Sequence, residues 1–183
     1  ACERIEGVDL TEEELPAQRD YLVVEKALFL LAAASIQLKE PSRSQAATDS
    51  GLVRYPDGLH HSEFLFLGGL GALQLYSHER AAPSLKQLLQ RYPEHDGAGN
   101  ARYYLGFVYY NQARFGEAIG HFRDVVERFP RLDVTADALF RMAECQFNLN
   151  QYEEARQTYQ RVVDEHGTSD VAEDALYNIA WCL

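Results

Sequence analysis

Long apolar runs are missing from this chain. The nearest approach to a membrane span, residues 21–38, is interrupted by Glu25, Lys26 and Gln37, which rules it out as a spanning helix. Basic residues are scarce, with 17 Lys and Arg against 28 Asp and Glu, a net charge of -11. Nucleic acid is therefore excluded as the main partner, because phosphate binding needs a basic surface. An acidic surface serves solubility, or a basic partner. Cysteine is limited to Cys2, Cys145 and Cys182, too few for a disulfide scaffold. No signal peptide is visible, although a cleaved one leaves no trace. Cys2 stands where a bacterial lipoprotein keeps its lipidated cysteine; a vector remnant would look the same.

Catalytic and metal patterns are also lacking. Six histidines are present and none forms an H-E-x-x-H pair. His60-His61, with His95, is the nearest approach to a metal site and reads as solvated loop. "GGLG" at 68–71 has neither a preceding strand nor a phosphate-gripping lysine, so it reads as close helix packing. Glu12–Glu14 reads as a helix start, with Thr11 and Glu14 forming a capping box. Glu153-Glu154 reads as a solvated helix face. Serine and cysteine have no partner base set by spacing. The chain is read as a non-enzyme without metal or cofactor.

What is present is a repeat. RYP occurs at Arg54 and again at Arg91, and RFP at Arg128, at intervals of 37 residues. A further step reaches Glu165-His166-Gly167. Phe29, Phe66, Tyr103, Phe140 and Tyr177 form an aromatic column. Ala32, Gly69, Gly106, Ala143 and Ala180 form a small one. Leu28, Leu65, Leu139 and Leu176 form a third, with Arg102 as the exception. Cys145 and Cys182 are one repeat apart, which is too far for a disulfide, so two buried free thiols are expected.

Each unit divides into two helical patterns. Leu105, Val108 and Tyr109 recur at helical spacing, and Asn111–Arg114 makes a turn. Phe115, Ala118, Ile119, Phe122, Val125 and Val126 then continue at spacings of three and four. Pro130 closes the unit. The next unit repeats this with Tyr152, Ala155, Tyr159, Val162 and Val163, with Gly167 as a C-cap. Thr135 or Asp133, and later Ser169 or Asp170, are candidate N-caps. Small residues let helices approach, and Ala81, Ala118 and Ala155 form a second small column in the partner helix. Pro83 predicts a late start or a kink in its helix. The arginine of each RYP faces the negative end of its helix dipole.

These units resemble tetratricopeptide repeats. Leu139, Ala143, Phe147, Ala155, Tyr159 and the turn at Gly167 carry the pattern in one unit, and Gly106, Tyr109, Ala118, Phe122 and Pro130 in another. Phe147 lies one place beyond the usual aromatic. The family period is about 34, and the longer form with "A-L-F/Y" at the helix start is similar to repeats of bacterial cell-envelope proteins. Examples are the Tol–Pal-associated cell-division coordinator and the outer-membrane assembly lipoprotein. The resemblance implies an all-α fold, a right-handed α-α superhelix of about four helix pairs plus a final unpaired helix. The expected organisation is an extension over 1–17 and a solenoid over 18–183, with units near 18–56, 57–93, 94–130, 131–167 and a partial 168–183.

The resemblance also implies a concave groove, lined by first helices, that binds a peptide or helix of a protein partner. The residues placed there are Phe66, Leu70, Leu73, Gln74, Tyr103, Phe107, Tyr110, Asn111, Phe140, Glu144, Phe147 and Asn148. Trp181 falls one turn beyond the column. Aromatics supply contact area and amides can pair with peptide backbone. The absence of lysine there argues against a carboxylate clamp. For Phe66 and Phe140 a core position is equally open. The expected location is periplasmic or outer-membrane-associated in a Gram-negative bacterium, with the cytoplasm as the alternative. A self-associating scaffold, or a regulatory domain of a larger protein, are the alternative functions. The apolar ending Trp181-Cys182-Leu183 suggests a truncated array or a homodimer through the last helix.

Overall fold

The computed structural model describes residues 4–5, 8–9 and 14–182, with side chains from residue 19 onward. The first unit reaches to Ser77 and the second begins at His78. In the first, strands β1 (Arg4–Ile5) and β2 (Val8–Asp9) pair antiparallel, Arg4 opposite Asp9. Helices α1 (Glu14–Gln37), α2 (Pro41–Arg54) and α3 (His61–Gln74) follow. The second unit holds α4 (His78–Arg91), α5 (Ala98–Asn111), α6 (Phe115–Arg128), α7 (Thr135–Asn148), α8 (Tyr152–His166) and α9 (Ala172–Trp181). The capping box at Thr11 lies outside the described residues.

The repeat is written into the backbone as well as the side chains. The turn from first to second helix is made at Lys39, Tyr76, Ala113 and Asn150, 37 residues apart, and all four have φ between 55 and 60°. These are left-handed conformations at non-glycine residues. At each, the following N–H reaches back to the helix, as Arg114 does to the Tyr109 carbonyl at 2.9 Å and Gln151 to Gln146 at 2.9 Å. This closes the end of the first helix in the Schellman manner. The connection between units repeats too. Leu132 N–H donates to the Phe129 carbonyl and Thr135 N–H to that of Leu132, as Ser169 and Ala172 do to His166 and Ser169.

Several expectations are corrected at the helix ends. Val134 and Val171 are the N-caps of α7 and α9 and make no side-chain cap bond. Thr135 instead donates from Oγ1 to the Phe129 carbonyl at 2.9 Å, bracing the loop. Gly167 is the C-cap of α8 as expected, but in a right-handed conformation at φ -59° that does not itself require glycine. α4 begins at His78 and runs through Pro83. The ring therefore sits within the helix and leaves the Glu79 carbonyl without its helical donor.

The buried residues show why the periods match. Ala81, Ala118 and Ala155 are wholly buried, as are Ala32 and Ala143. A Cβ added to Gly106 would lie 2.6 Å from the Phe122 ring, so the glycine makes room for that ring. In the first unit the same volume is distributed differently. Gly51 stands where later second helices carry Leu88, Val125 and Val162. Phe64 stands where later first helices carry Ala101, Ala138 and Ala175, and its ring occupies the Gly51 space at 2.6 Å. The bulk has crossed from one helix to the next with its volume conserved. Gly68 and Gly71 likewise lie inside α3, against Thr48 and the Pro41 carbonyl.

Candidate peptide-binding face

The proposed groove residues fall on the first helices, within each unit. On α3, Phe66, Leu70 and Leu73 are half-buried and Gln74 is exposed. On α5, Tyr103, Phe107 and Tyr110 are half-buried and Asn111 is exposed. On α7, Glu144 and Phe147 are half-buried and Asn148 is exposed. Phe140 is a correction, because it is buried, with its ring edge-on to Tyr159 at 5.4 Å, and belongs to the core.

α5 and α7 meet through side chains. The Tyr103 hydroxyl donates to an Asp137 carboxylate oxygen. Arg141 lies with its guanidinium 5.6 Å from the Tyr110 ring centre and 5.9 Å from that of Phe140. Its Nη1 donates to Glu144 at 2.9 Å, and its Nε lies 3.8 Å from Asp137. Burial works to lower the Arg141 pKa, but Glu144 and Asp137 outweigh it and leave it raised. Burial raises the Glu144 carboxyl, opposed by Arg141 and the Tyr110 hydroxyl. Burial raises the Tyr103 phenol, and its bond to Asp137 adds to this. The face is thus a polar cluster of one guanidinium and two carboxylates set among aromatic rings. Asp137 and Arg141 were not picked out from the sequence, although their i,i+4 and i,i+3 spacing to one another and to Glu144 is a legible helix-surface pattern.

Two aromatic positions are pinned from behind by the helix that follows. Tyr110 sits against Phe115 at 5.9 Å, and its counterpart Phe147 against Tyr152 at 5.2 Å. Phe107 is approached by His78 at 6.4 Å. The amides behave differently from expectation. Asn111 Nδ2 donates to the Phe107 carbonyl and Asn148 Nδ2 to that of Glu144, at 2.9 and 2.8 Å. Each therefore presents chiefly its carbonyl oxygen outward. Further along the same face, Phe147, Tyr159, Asn178 and Trp181 enclose a cavity of about 300 Å³. The Tyr159 and Asn178 side chains hydrogen-bond to one another; Tyr159 is buried and Trp181 is exposed.

The remaining titratable candidates are placed elsewhere. His61 is buried, with Nδ1 3.3 Å from the Tyr55 carbonyl, and His60 stacks on Phe29 at 4.6 Å. The solvated-loop reading is corrected for His61, whose ring packs inside the first unit. No cluster of three or more metal-ligating side chains occurs among the described residues. Cys145 and Cys182 are both free thiols. Cys145 is buried as expected, whereas Cys182 is only half-buried, because α9 lies at the edge of the described helices.

Paired antiparallel helices that repeat every 37 residues, with aromatics on one face of the first helices, define an all-α helical repeat solenoid. Family models for the tetratricopeptide repeat match residues 66–133 and 137–169, together more than half of the chain. The chain belongs to the tetratricopeptide repeat family, whose members are protein-interaction modules. No curated protein matches it. Among solved structures it is similar to MamA (AMB-1), with TM-score 0.67 and 22% identity, covering 83% of this chain and 78% of that one. It is similar to YrrB, described as a TPR protein with an unusual peptide-binding site, with TM-score 0.71 and 17% identity, covering 84% and 74%. A tetratricopeptide repeat protein from Parabacteroides merdae has TM-score 0.70 and 12% identity, covering 83% and 57%. At these identities the likeness concerns the fold.

Proposed function

We propose that the α5–α7–α9 face of the second unit binds a peptide or helical segment of a partner protein, and that the chain works by binding, without catalysis. The observation that carries this is the cavity between Phe147, Tyr159, Asn178 and Trp181. Its volume suits one or two apolar side chains of a ligand, and its lining combines aromatic rings with the half-buried Asn178 amide. Arg141 is balanced by Glu144 and Asp137, so this face has no spare positive charge to favour an anionic ligand. An apolar or amphipathic segment fits it best. The printed description of YrrB as peptide-binding supports the same class of ligand.

The biological setting proposed is a bacterial envelope complex, with the protein periplasmic or attached at the outer membrane. Its support is the longer repeat and the "A-L-F/Y" helix opening seen in envelope proteins of this family. A self-associating scaffold is the second reading, favoured by the exposed Leu176, Tyr177 and Trp181 on α9.

Selection from a displayed peptide library tests the binding face. Wild type is expected to enrich a consensus with spaced apolar residues. Phe107→Ala, Phe147→Ala and Trp181→Ala should each weaken a selected peptide by roughly tenfold or more, as hot-spot truncations do. Variants that retain wild-type affinity while staying helical would reject this face. Fractionation of the source cells with immunodetection tests the setting, and a wholly cytosolic signal would overturn the envelope assignment.

A further inference from the structure

We infer that the outward stripe of α1 is a homodimer interface, paired antiparallel with the same stripe of a second copy about a two-fold axis. Val24, Ala27, Leu31, Ala34 and Leu38 are all exposed and follow one another at spacings of three and four residues. That spacing is the seam of a helix that lies along another helix. Val23, 66% exposed, and Leu30, 53% exposed, widen the stripe. An ordinary surface helix turns polar residues outward. Here the outward stripe is apolar, while Glu25 and Ser35 are buried beside Ala32 on the inner face.

The repeat shows what kind of object belongs on the stripe. Two repeats further on, its first four positions are Ala98, Ala101, Leu105 and Val108, all buried, and the corresponding residues of α3 and α7 are buried too. In the first unit the cover for α3 is the second helix α2, which sets Gly51 against Phe64 and Thr48 against Gly68. It runs antiparallel to the helix it covers. The register of a second helix preceding α1 falls on residues 4–17, where β1, β2 and the opening of α1 stand. The described residues therefore leave this one first-helix face open where the repeat would set an antiparallel helix.

A second α1 meets the steric requirement of that position. Antiparallel pairing about an axis near Phe29 sets Ala27 against the partner's Leu31 and Val24 against the partner's Ala34. Each larger side chain meets a small one, which lets the two helices approach closely. The same patch serves both copies, so the contact closes on itself as a dimer without continuing into a fibre. Exposed Lys26 flanks the stripe, and exposed Asp20 ends the seam one turn before Val24, opposite the partner's Leu38 in this register. The inference concerns a different face from the peptide-binding one and is independent of it.

Sedimentation velocity over a wide concentration range tests this on the full chain. Wild type should form a dimer. Ala27→Glu and Leu31→Glu each place a charge in the seam on an exposed helix that keeps its helix-forming residues. Either should raise the dissociation constant by roughly a hundredfold, with circular dichroism unchanged, since burying an unpaired charge is strongly unfavourable. Leu176→Glu on α9 should leave the dimer intact. A wild type that stays monomeric overturns the proposal, and so does a dimer that survives both α1 substitutions. A dimer lost only in Leu176→Glu would move the interface to α9. If the monomer instead captures a synthetic peptide of residues 115–128, the stripe takes a second-helix segment from another source.

Discussion

Ala113 holds a left-handed backbone at φ 55°, a conformation that is unfavourable by about 1–2 kcal/mol for a residue with a Cβ. Its side chain is exposed and nothing in the turn depends on it. Ala113→Gly should therefore stabilise the protein by about 1 kcal/mol, read as a shift in the urea midpoint without a change in slope. No change would mean that the unfolded chain gains as much freedom from the glycine as the turn gains relief. Burial pushes the Cys145 thiol up to about 12, while Cys182 is half-buried with Sγ donating to the Asn178 carbonyl at 3.4 Å. In a Cys2→Ser background, a thiol reagent at mildly alkaline pH should modify Cys182 in the folded protein and reach Cys145 only on unfolding. Rapid labelling of both would show that α7 opens far more readily than its packing implies. Glu144 is the pH-sensitive member of the binding face. Its folded pKa lies above the unfolded one because of burial, so the native state holds this proton more tightly. The stability it contributes is present in acid and is lost as the pH rises through the folded value. Denaturation of wild type and Glu144→Gln should therefore diverge between acid and neutral pH. Parallel curves would show that Arg141 compensates the carboxylate fully.

The exchange of bulk between Gly51 and Phe64 makes a prediction at the scale of packed helices. Phe64→Ala alone empties a fully buried site and should lose about 3–5 kcal/mol. Gly51→Val alone drives a side chain into the ring and should also destabilise. The double variant recreates the Val125–Ala138 arrangement of a later repeat and should recover most of the loss. Chemical denaturation of the four proteins gives the coupling, and simple additivity would show that the two positions do not share this volume. The columns of aromatic and small residues were legible because helix packing repeats a physical requirement every 37 residues. The size swap was not, because it places a glycine and a phenylalanine where the columns call for the reverse, and only contact between α2 and α3 reveals the compensation. The turns were hidden for a related reason. Lys, Tyr, Ala and Asn occupy the four left-handed positions, and only asparagine is a usual sign of that backbone. Of the binding face, its aromatic and amide members could be read from helical spacing. The burial of Phe140 could not, since its column holds both exposed and buried rings, and neither could the return of Asn111 and Asn148 to their own helices.

At the scale of the whole molecule, the helices within each unit pack mainly on their neighbours in sequence, as expected of a repeat protein whose stability sums unit and nearest-neighbour terms. Protection should then follow how many neighbours a helix has. α7 is packed by α6 on one side and α8 on the other, and it buries eight of its residues. α9 is packed by α8 and buries only Ala172 and Ala175, while Leu176, Tyr177 and Trp181 stand exposed. Leu176 and Ala180 are both exposed, whereas their counterparts in α7, Leu139 and Ala143, are wholly buried where α8 packs on α7. Native-state hydrogen exchange should therefore be slowest in α6 and α7 and fastest, among the helices of the second unit, in α9. A difference of about 1.4 kcal/mol in opening free energy corresponds to tenfold in exchange, and the deficit of buried residues in α9 makes at least that gap reasonable. Binding of a peptide in the cavity that Trp181 and Asn178 share with Phe147 and Tyr159 should slow exchange in α9 more than in α6, because the ligand supplies the contacts that α9 lacks. Uniform exchange across α6 to α9 would show that the second unit opens as one cooperative block, and a ligand that protects α6 and α9 equally would place its site away from this cavity.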